Sequence, residues 1–470
     1  MVQHADILAA RRGLVIAPAG CGKTQSIIES VLANEGKPAL VLTHTNAGRI
    51  ALGGRLSRRQ VPASRYRLAT LDGWAMRLVG TYPLRSGFVL DGDAPNYPAL
   101  RRAASNLIAS RAIDEILLAT YSRLLVDEYQ DCSTGQHGLA LSLSRLLPTC
   151  VFGDNLQAVF DFDPQDRLPG WNVVAQAYAE VGQLAVPHRW NNVGANDLGA
   201  WLLQSRATLL RGGRIDVSTG GERVRWRQLT GNDGIDVRAQ IAAQFEIDRN
   251  RNETVLIIGD ARNVASRHEY ARHADGVGVV EPVELRGMID WARRMDGQQG
   301  QDLFDVAMEF AREVMVNLEG DRLRRRLEVL SRGRNRQPPS REETAAQSVI
   351  GGGGYGEAVH FLKVLVEDRN RRIFRRGLFA PMMGALEAAA RKPEEGLILA
   401  AASVRDQNRF AGRRLPARAV GSTLLLKGLE SDHALILNAD RMTAPNLYVA
   451  LSRGSRSVTV FSTTPMLPRL

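Results

Sequence analysis

The sequence predicts an α/β protein of two parallel sheets flanked by helices, with two mostly helical segments inserted among the strands. Short apolar runs recur along the 470 residues, each ending in Gly, Asp, Thr or a charged residue. They fall into two groups, residues 14–155 and 254–463, and helical patterns separate successive runs. Runs this short, bounded by polar residues, fit strands buried on both faces, as parallel sheets require.

In chain order the runs are LVIAPAG (14–20), ALVLTH (39–44), RLLVDEYQ (123–130) and CVFGDN (150–155) in the first group. The second group holds TVLIIGD (254–260), LILAAAS (397–403), TLLLKG (423–428), ALILNAD (434–440) and SVTVFST (457–463). Residues 80–117 lead into the alanine-rich stretch ALRRAASNLIASRAIDEILLATY and predict a small helical insert. Residues 275–395 hold IDWARRMD, DLFDVAMEFAREVMVNLEG, the basic stretch SRGRNRQPPSREET and the glycines Gly351–Gly354. They predict a larger, partly mobile helical insert. Its glycine run reads as a connector, since no Lys-Ser or Lys-Thr pair follows. The expected division is a first core of 1–79 and 118–188 around insert 80–117, and a second core of 189–274 and 396–470 around insert 275–395.

A hydrophobic content of 44% with 24% charged residues is that of an ordinary folded chain. No run of about eighteen uncharged apolar residues occurs, so no membrane partner is expected. Arg11 and Arg12 interrupt the apolar N-terminal stretch, unlike a secretory signal, and a cytoplasmic location is expected. Cys21, Cys132 and Cys150 are too few for a disulfide framework and are not spaced like a zinc site. The net charge of +11 suits a polyanionic partner, although an arginine-rich surface alone does not distinguish one.

APAGCGKT (17–24) follows the strand pattern LVI and precedes the helical pattern QSIIESVLANEG. This is the setting of a phosphate loop, in which backbone N–H groups and a helix N-terminus face the phosphates. Ala19, Gly20, Cys21, Gly22, Lys23, Thr24 and Gln25 form the candidate nucleotide-binding stretch. Lys23 would reach the β- and γ-phosphates and Thr24 would ligate Mg²⁺. The plainer alternative, a glycine-rich turn, leaves the strand–loop–helix order unexplained. Cys21, inside the loop, is expected to make nucleotide binding sensitive to bulky thiol reagents. RLLVDEYQDCS (123–133) places two acids at a strand end. Asp127 would hold Mg²⁺ opposite Thr24, and Glu128 would polarise the attacking water as general base.

APAGCGKT followed by DEYQD (127–131) resembles the superfamily 1A helicases of the UvrD/Rep/PcrA kind, and further motifs follow in that family's order. LVLTHTNAG (40–48) is similar to motif Ia, which implies nucleic-acid contacts for Thr43, His44, Thr45 and Asn46. LATLDGWAMRLV (68–79) resembles motif Ib, implying the same for Thr70, while Trp74 reads as core. VFGDNLQAVFDF (151–162) resembles motif III: Gln157 would sense the γ-phosphate, and Phe160 and Phe162 would lie near the bases or pack as core. VPHRWNN (186–192), STLLLKGLES (422–431) and NLYVALSRGSRS (446–457) resemble motifs IV, V and VI. They imply Arg189 on the γ-phosphate, Glu430 on the ribose, and Arg453 as arginine finger with Tyr448 beneath it. Gln3 stands near the place of the family's adenine-reading glutamine, and VLIIGDARNVASR (255–267) resembles the opening of the second core.

The resemblance implies two RecA-like P-loop domains that close on ATP and Mg²⁺, with Arg189, Glu430 and Arg453 arriving from the second. Hydrolysis would then drive movement, 3′ to 5′, along single-stranded or tailed DNA. The alternative is a DNA-sensing ATPase that regulates a partner nuclease with little unwinding, as in compact anti-phage chains of the Gabija kind. A non-catalytic binding module is the third reading, and the full set of Lys23, Thr24, Asp127, Glu128, Arg189 and Arg453 speaks against it.

Overall fold

The computed structural model describes residues 2–89, 96–160, 166–247, 252–282, 284–334, 336–411 and 415–469. The expected α/β class, with parallel sheets and helical segments, is what the chain forms. It divides into two compact units, residues 1–232 with 427–470, and residues 233–426.

The first unit contains a six-stranded parallel sheet of β1 (Arg12–Ile16), β2 (Ala39–Thr43), β3 (Tyr66–Thr70), β4 (Arg123–Asp127), β5 (Thr149–Gly153) and β6 (Ala179–Gln183), in the order β3-β2-β4-β5-β1-β6. Its two faces are written in the sequence with period two. Leu14, Leu40, Leu42, Leu124, Val126 and Val151 pack on one side with Trp74, Leu100, Leu107 and Leu139. Val15, Ala39, Val41, Leu125, Cys150 and Phe152 pack on the other with Ile27, Ile28 and Val31. Alternation of this kind is what a strand imposes when both faces are covered. Trp74 is a core residue, as read from the sequence, and the 80–117 stretch supplies Leu100, Ala104, Leu107 and Ile108 to the same core. The unit also carries three further parallel strands, Ser431–Ile436, Gly454–Ser462 and Val224–Gln228, in that order.

The second unit has three parallel strands, with Arg418–Ser422 lying between Val277–Val279 and Val255–Gly259. Beyond the helices Asp233–Ile247 and Val264–His273, its helices from Arg286–Met295 to Gly396–Ala411 surround one apolar core that includes Phe304, Phe310, Phe361, Met382 and Leu386.

Two expected strands are corrected. LILAAAS (397–403) lies inside the helix Gly396–Ala411. Leu397, Ala400 and Ala401 are buried while Ile398 and Leu399 are exposed, the three-and-four spacing of a helix rather than alternation. Leucine and alanine are strong helix formers, so a short apolar run of them is ambiguous by pattern alone. TLLLKG (423–428) forms turns, and the strand just before it is RAVGS, Arg418–Ser422. Three further strands without an apolar run, YRLAT, AEVGQ and VRWRQ, are only partly buried. The first two are the edges of their sheet, where one side of the strand meets water and polar residues are tolerated.

Candidate nucleotide-binding site

The parallel register aligns the C-terminal ends of the six strands: Thr70 pairs with Thr43, Thr43 with Asp127, and Ile16 with Gly153. Open α/β sheets bind ligands at this edge, outside the carboxyl ends of the strands. The 17–22 loop leaves β1 here. Gly20 and Gly22 have φ of +70° and +93°, a region costly for other residues, and Gly22 caps the helix Lys23–Ala33. The helix N-terminus thus lies where an anion is favoured.

Residues far along the chain pack onto this loop. A Cβ added at Gly20 would meet the Trp190 ring at 2.6 Å and the Arg189 Cβ at 2.9 Å, and one at Gly22 would meet the His188 ring at 3.2 Å. The Arg189 N–H donates to the Gly20 carbonyl at 3.1 Å, and the Ala19 N–H donates to the Tyr448 hydroxyl at 3.2 Å. Trp190 is fully buried and donates from Nε1 to the Gly454 carbonyl at 3.0 Å.

The Lys23 ammonium is shared by Asp127, at 3.2 Å, and Glu128, a closer ion pair. Burial disfavours its charge, but the two carboxylates outweigh that and hold Lys23 firmly protonated. Asp127 and Glu128 are pushed apart. Burial raises the Asp127 carboxyl above its ordinary range despite Lys23. Burial also opposes ionisation of Glu128, yet Lys23, then Lys427, with hydrogen bonds from Lys23 and Gln130, bring it down to about 2. Glu128 adopts a left-handed backbone, φ +55°, which turns the chain sharply just after β4. Its N–H donates to Asp127 at 2.9 Å, and Gln130 donates to its carboxylate at 2.5 Å.

Gln157 lies beneath the loop. Its Nε2 donates to Asp154 Oδ2 at 3.0 Å and to the Ala17 carbonyl at 3.4 Å. Asp154 is gripped in turn by Arg206, from the helix Asn196–Leu210, through contacts of 2.8–3.2 Å. Lys427 donates to both oxygens of Asp131 at 2.6 Å and to the Gln157 carbonyl.

Arg189 donates from Nη1 to the Ser452 carbonyl and from Nη2 to Glu430 Oε1, each at 2.6 Å, while its Nε is buried with no hydrogen-bond partner. Arg453 donates to the carbonyls of Val449 and Leu429 and to the Ser452 hydroxyl. Burial, then the charge of Arg189, lowers its guanidinium to about 10. Glu430, expected on a ribose, is engaged by Arg189 and, at 3.5 Å, by Arg55.

The expected nucleic-acid residues divide. Thr43 is fully buried, with its hydroxyl unpartnered, so it cannot meet a nucleic acid in this conformation. The Thr45 and Thr70 hydroxyls accept from the Gly48 and Gly73 N–H groups, capping the helices Asn46–Arg58 and Leu71–Thr81. Asn46 is exposed. His44 meets the Phe160 ring edge-on at 5.2 Å, and the Lys427 ammonium lies 5.2 Å from the same ring. Phe162 lies outside the described residues.

Thr24 and Gln25 open the helix Lys23–Ala33, and Gln25 donates to Glu29 at 2.7 Å. Gln3 is exposed and caps the helix His4–Ala9 together with Asp6. Cys21 is buried, and burial pushes its thiol up to about 12, which disfavours the reactive thiolate. His188, Arg206 and Lys427 join the site without having been singled out as site residues, and Tyr448, expected beneath Arg453, accepts from the Ala19 N–H. For Tyr448 and Lys427 the signal was their place in matched motifs; Arg206 sits in an unremarkable helical stretch and left none.

No family model matches the sequence, and no curated protein matches it. Among solved structures, a complex of arterivirus nonstructural protein 10 (helicase) with DNA matches 97% of this chain and 62% of its own, at 9% identity and a TM-score of 0.32. A second crystal structure of arterivirus nonstructural protein 10 (helicase) matches 97% and 60%, at 10% identity and a TM-score of 0.31. The similarity is distant, and this chain spans about three-fifths of the length of those proteins.

Proposed function

We propose that the chain is an ATP-dependent translocase or helicase on single-stranded or tailed DNA. The observation that carries this reading is a single cluster around one glycine loop: Lys23 between Asp127 and Glu128, with the backbone of Arg189 bound to Gly20. Fit to a triphosphate is supported by the positive-φ glycines at the helix N-terminus and by the buried, unpartnered Nε donor of Arg189. Asp127 and Thr24 would hold Mg²⁺, which screens phosphate charge when bound.

In this reading Lys23 exchanges its two carboxylates for phosphate oxygens. Release from Lys23 lets the Glu128 carboxyl rise from about 2 toward values suited to accepting a proton from water. Arg189 and Arg453, whose donors now rest on Glu430, Ser452, Val449 and Leu429, would turn toward growing negative charge, a contribution worth about 10³–10⁵ in rate in other NTPases. Phosphate release measured with and without single-stranded DNA tests the proposal. Stimulated turnover that disappears in Lys23→Ala and Glu128→Gln is expected; turnover that survives both substitutions refutes the assignment.

A second reading, a DNA-sensing ATPase that regulates a partner nuclease, is favoured by the burial of Thr43 and the capping roles of Thr45 and Thr70, which leave few threonines to track a strand. Displacement of a 3′-tailed duplex separates the two: hydrolysis without displacement supports the sensor.

A further inference from the structure

Arg206 lies in none of the segments matched to helicase motifs, yet it is buried under the glycine loop and points its guanidinium at Asp154. Two of its nitrogens reach both carboxylate oxygens, and the Asp154 side chain is fully shielded from water. Asp154 in turn accepts from the Gln157 amide, whose Nε2 also donates to the Ala17 carbonyl at the base of the loop. Three residues therefore form one chain, Arg206 to Asp154 to Gln157, ending on the loop that carries Lys23.

We propose that Arg206 is a positioning residue: by fixing and neutralising Asp154 it sets where the Gln157 amide points. The inference rests on the ATPase reading, in which Gln157 answers to the terminal phosphate. A carboxylate left without Arg206 would be a buried, uncompensated acceptor competing for the same NH₂ group that a phosphate must recruit. With the guanidinium spread over both of its oxygens, Asp154 holds the amide weakly enough to yield it. Buried arginine suits this task because its planar fork fixes orientation as well as charge, and burial notwithstanding, the hydrogen bonds to Asp154 keep it protonated.

The test uses the full chain with Arg206→Lys, Gln157→Ala and the two combined. Lysine keeps the charge but cannot reproduce the fork. If Arg206→Lys does not fold by circular dichroism and thermal melting, Asp154→Asn with Arg206→Gln, which removes both buried charges, takes its place. Expected results are an affinity for a fluorescent ATP analogue within about twofold of the parent and a kcat about tenfold lower. The combined variant should be no slower than Gln157→Ala alone, because residues acting through one another are not additive. A kcat unchanged in Arg206→Lys, or losses that multiply in the combined variant, overturn the positioning role while leaving the ATPase reading intact. A parent chain that hydrolyses no ATP, with or without single-stranded DNA, overturns both.

Discussion

Arg189 and Glu430 form a 2.6 Å ion pair although 241 residues separate them, and the same arginine binds Gly20 through its backbone. The arginine ties the 17–22 loop to the segment that follows Lys427. The pair also makes Glu430 a partner of Arg189 in this conformation, whatever else its carboxylate touches. If Arg189 is the group that meets developing phosphoryl charge, Arg189→Ala should lower kcat by about 10²–10³ with a modest change in KM. Glu430→Gln keeps a hydrogen-bond acceptor for Arg189 and should change kcat by about threefold or less. Steady-state ATP hydrolysis measures both, and equal losses in the two variants would contradict the assignment of the catalytic role to the arginine.

Lys23 predicts a pH signature in stability. The Glu128 carboxyl sits at about 2 in the folded chain against an ordinary 4.5, so its contribution is complete above pH 4.5 and is lost as pH falls toward 2. Lys23 is the main source of that depression. In Lys23→Met the depression is relieved, and Asp127, already raised by burial, loses its nearest cation. Lys23→Met should therefore be less stable than the parent at pH 7, and the gap should narrow between pH 4.5 and pH 3. Urea unfolding at the two ends of that window reads it directly; a gap that is constant or widens in acid contradicts the charge assignment.

Cys21 should be quiet in the folded protein. Its thiol is buried and pushed up to about 12 by desolvation, and Cys132 and Cys150 are buried as well. At pH 8 the thiolate fraction is about 10³-fold below that of an ordinary cysteine, and the thiolate is the reacting species. Iodoacetamide should label Cys21 at least 10²-fold more slowly in the native chain than in urea, as read by peptide mass spectrometry. Fast native labelling would mean that the loop opens far more readily than its packing against Trp190 and Tyr448 allows.

Legibility in the sequence followed distance from the central strands. LVI, ALVL, LLVD and CVFG are buried on both faces, so their composition alone betrays them. Lys23, Asp127 and Glu128 were expected in one site, and the fold does bring them into one ion-pair cluster, because the 17–22 loop and the end of β4 share one edge of the sheet. The edge strands were not, because a half-solvated strand such as AEVGQ has no apolar signature. LILAAAS misled because seven residues are too few to separate a period of two from one of 3.6. Arg206 was illegible for a different reason: its function depends on Asp154, a partner 52 residues away that only folding brings near.

The threonines give the sharpest test of which expected nucleic-acid contacts survive. The Thr43 hydroxyl is buried and has no partner, so it contributes an unsatisfied polar atom rather than a contact. Thr43→Val replaces it with a methyl of the same shape. The melting temperature should hold or rise, and affinity for single-stranded DNA should not change. Thr45→Ala and Thr70→Ala each remove a helix cap and should cost about 0.5–2 kcal/mol of stability. Phe160→Ala is the contrasting substitution: the ring contacts His44 and Lys427, and if it serves as the proposed stacking platform its removal should weaken binding by about 1–3 kcal/mol per base. Fluorescence anisotropy on a labelled oligonucleotide, with thermal melts alongside, separates the classes. Weakened DNA binding in Thr43→Val at unchanged stability would require the N-terminus of the helix Asn46–Arg58 to move and expose that hydroxyl, a different conformation of the loop after β2.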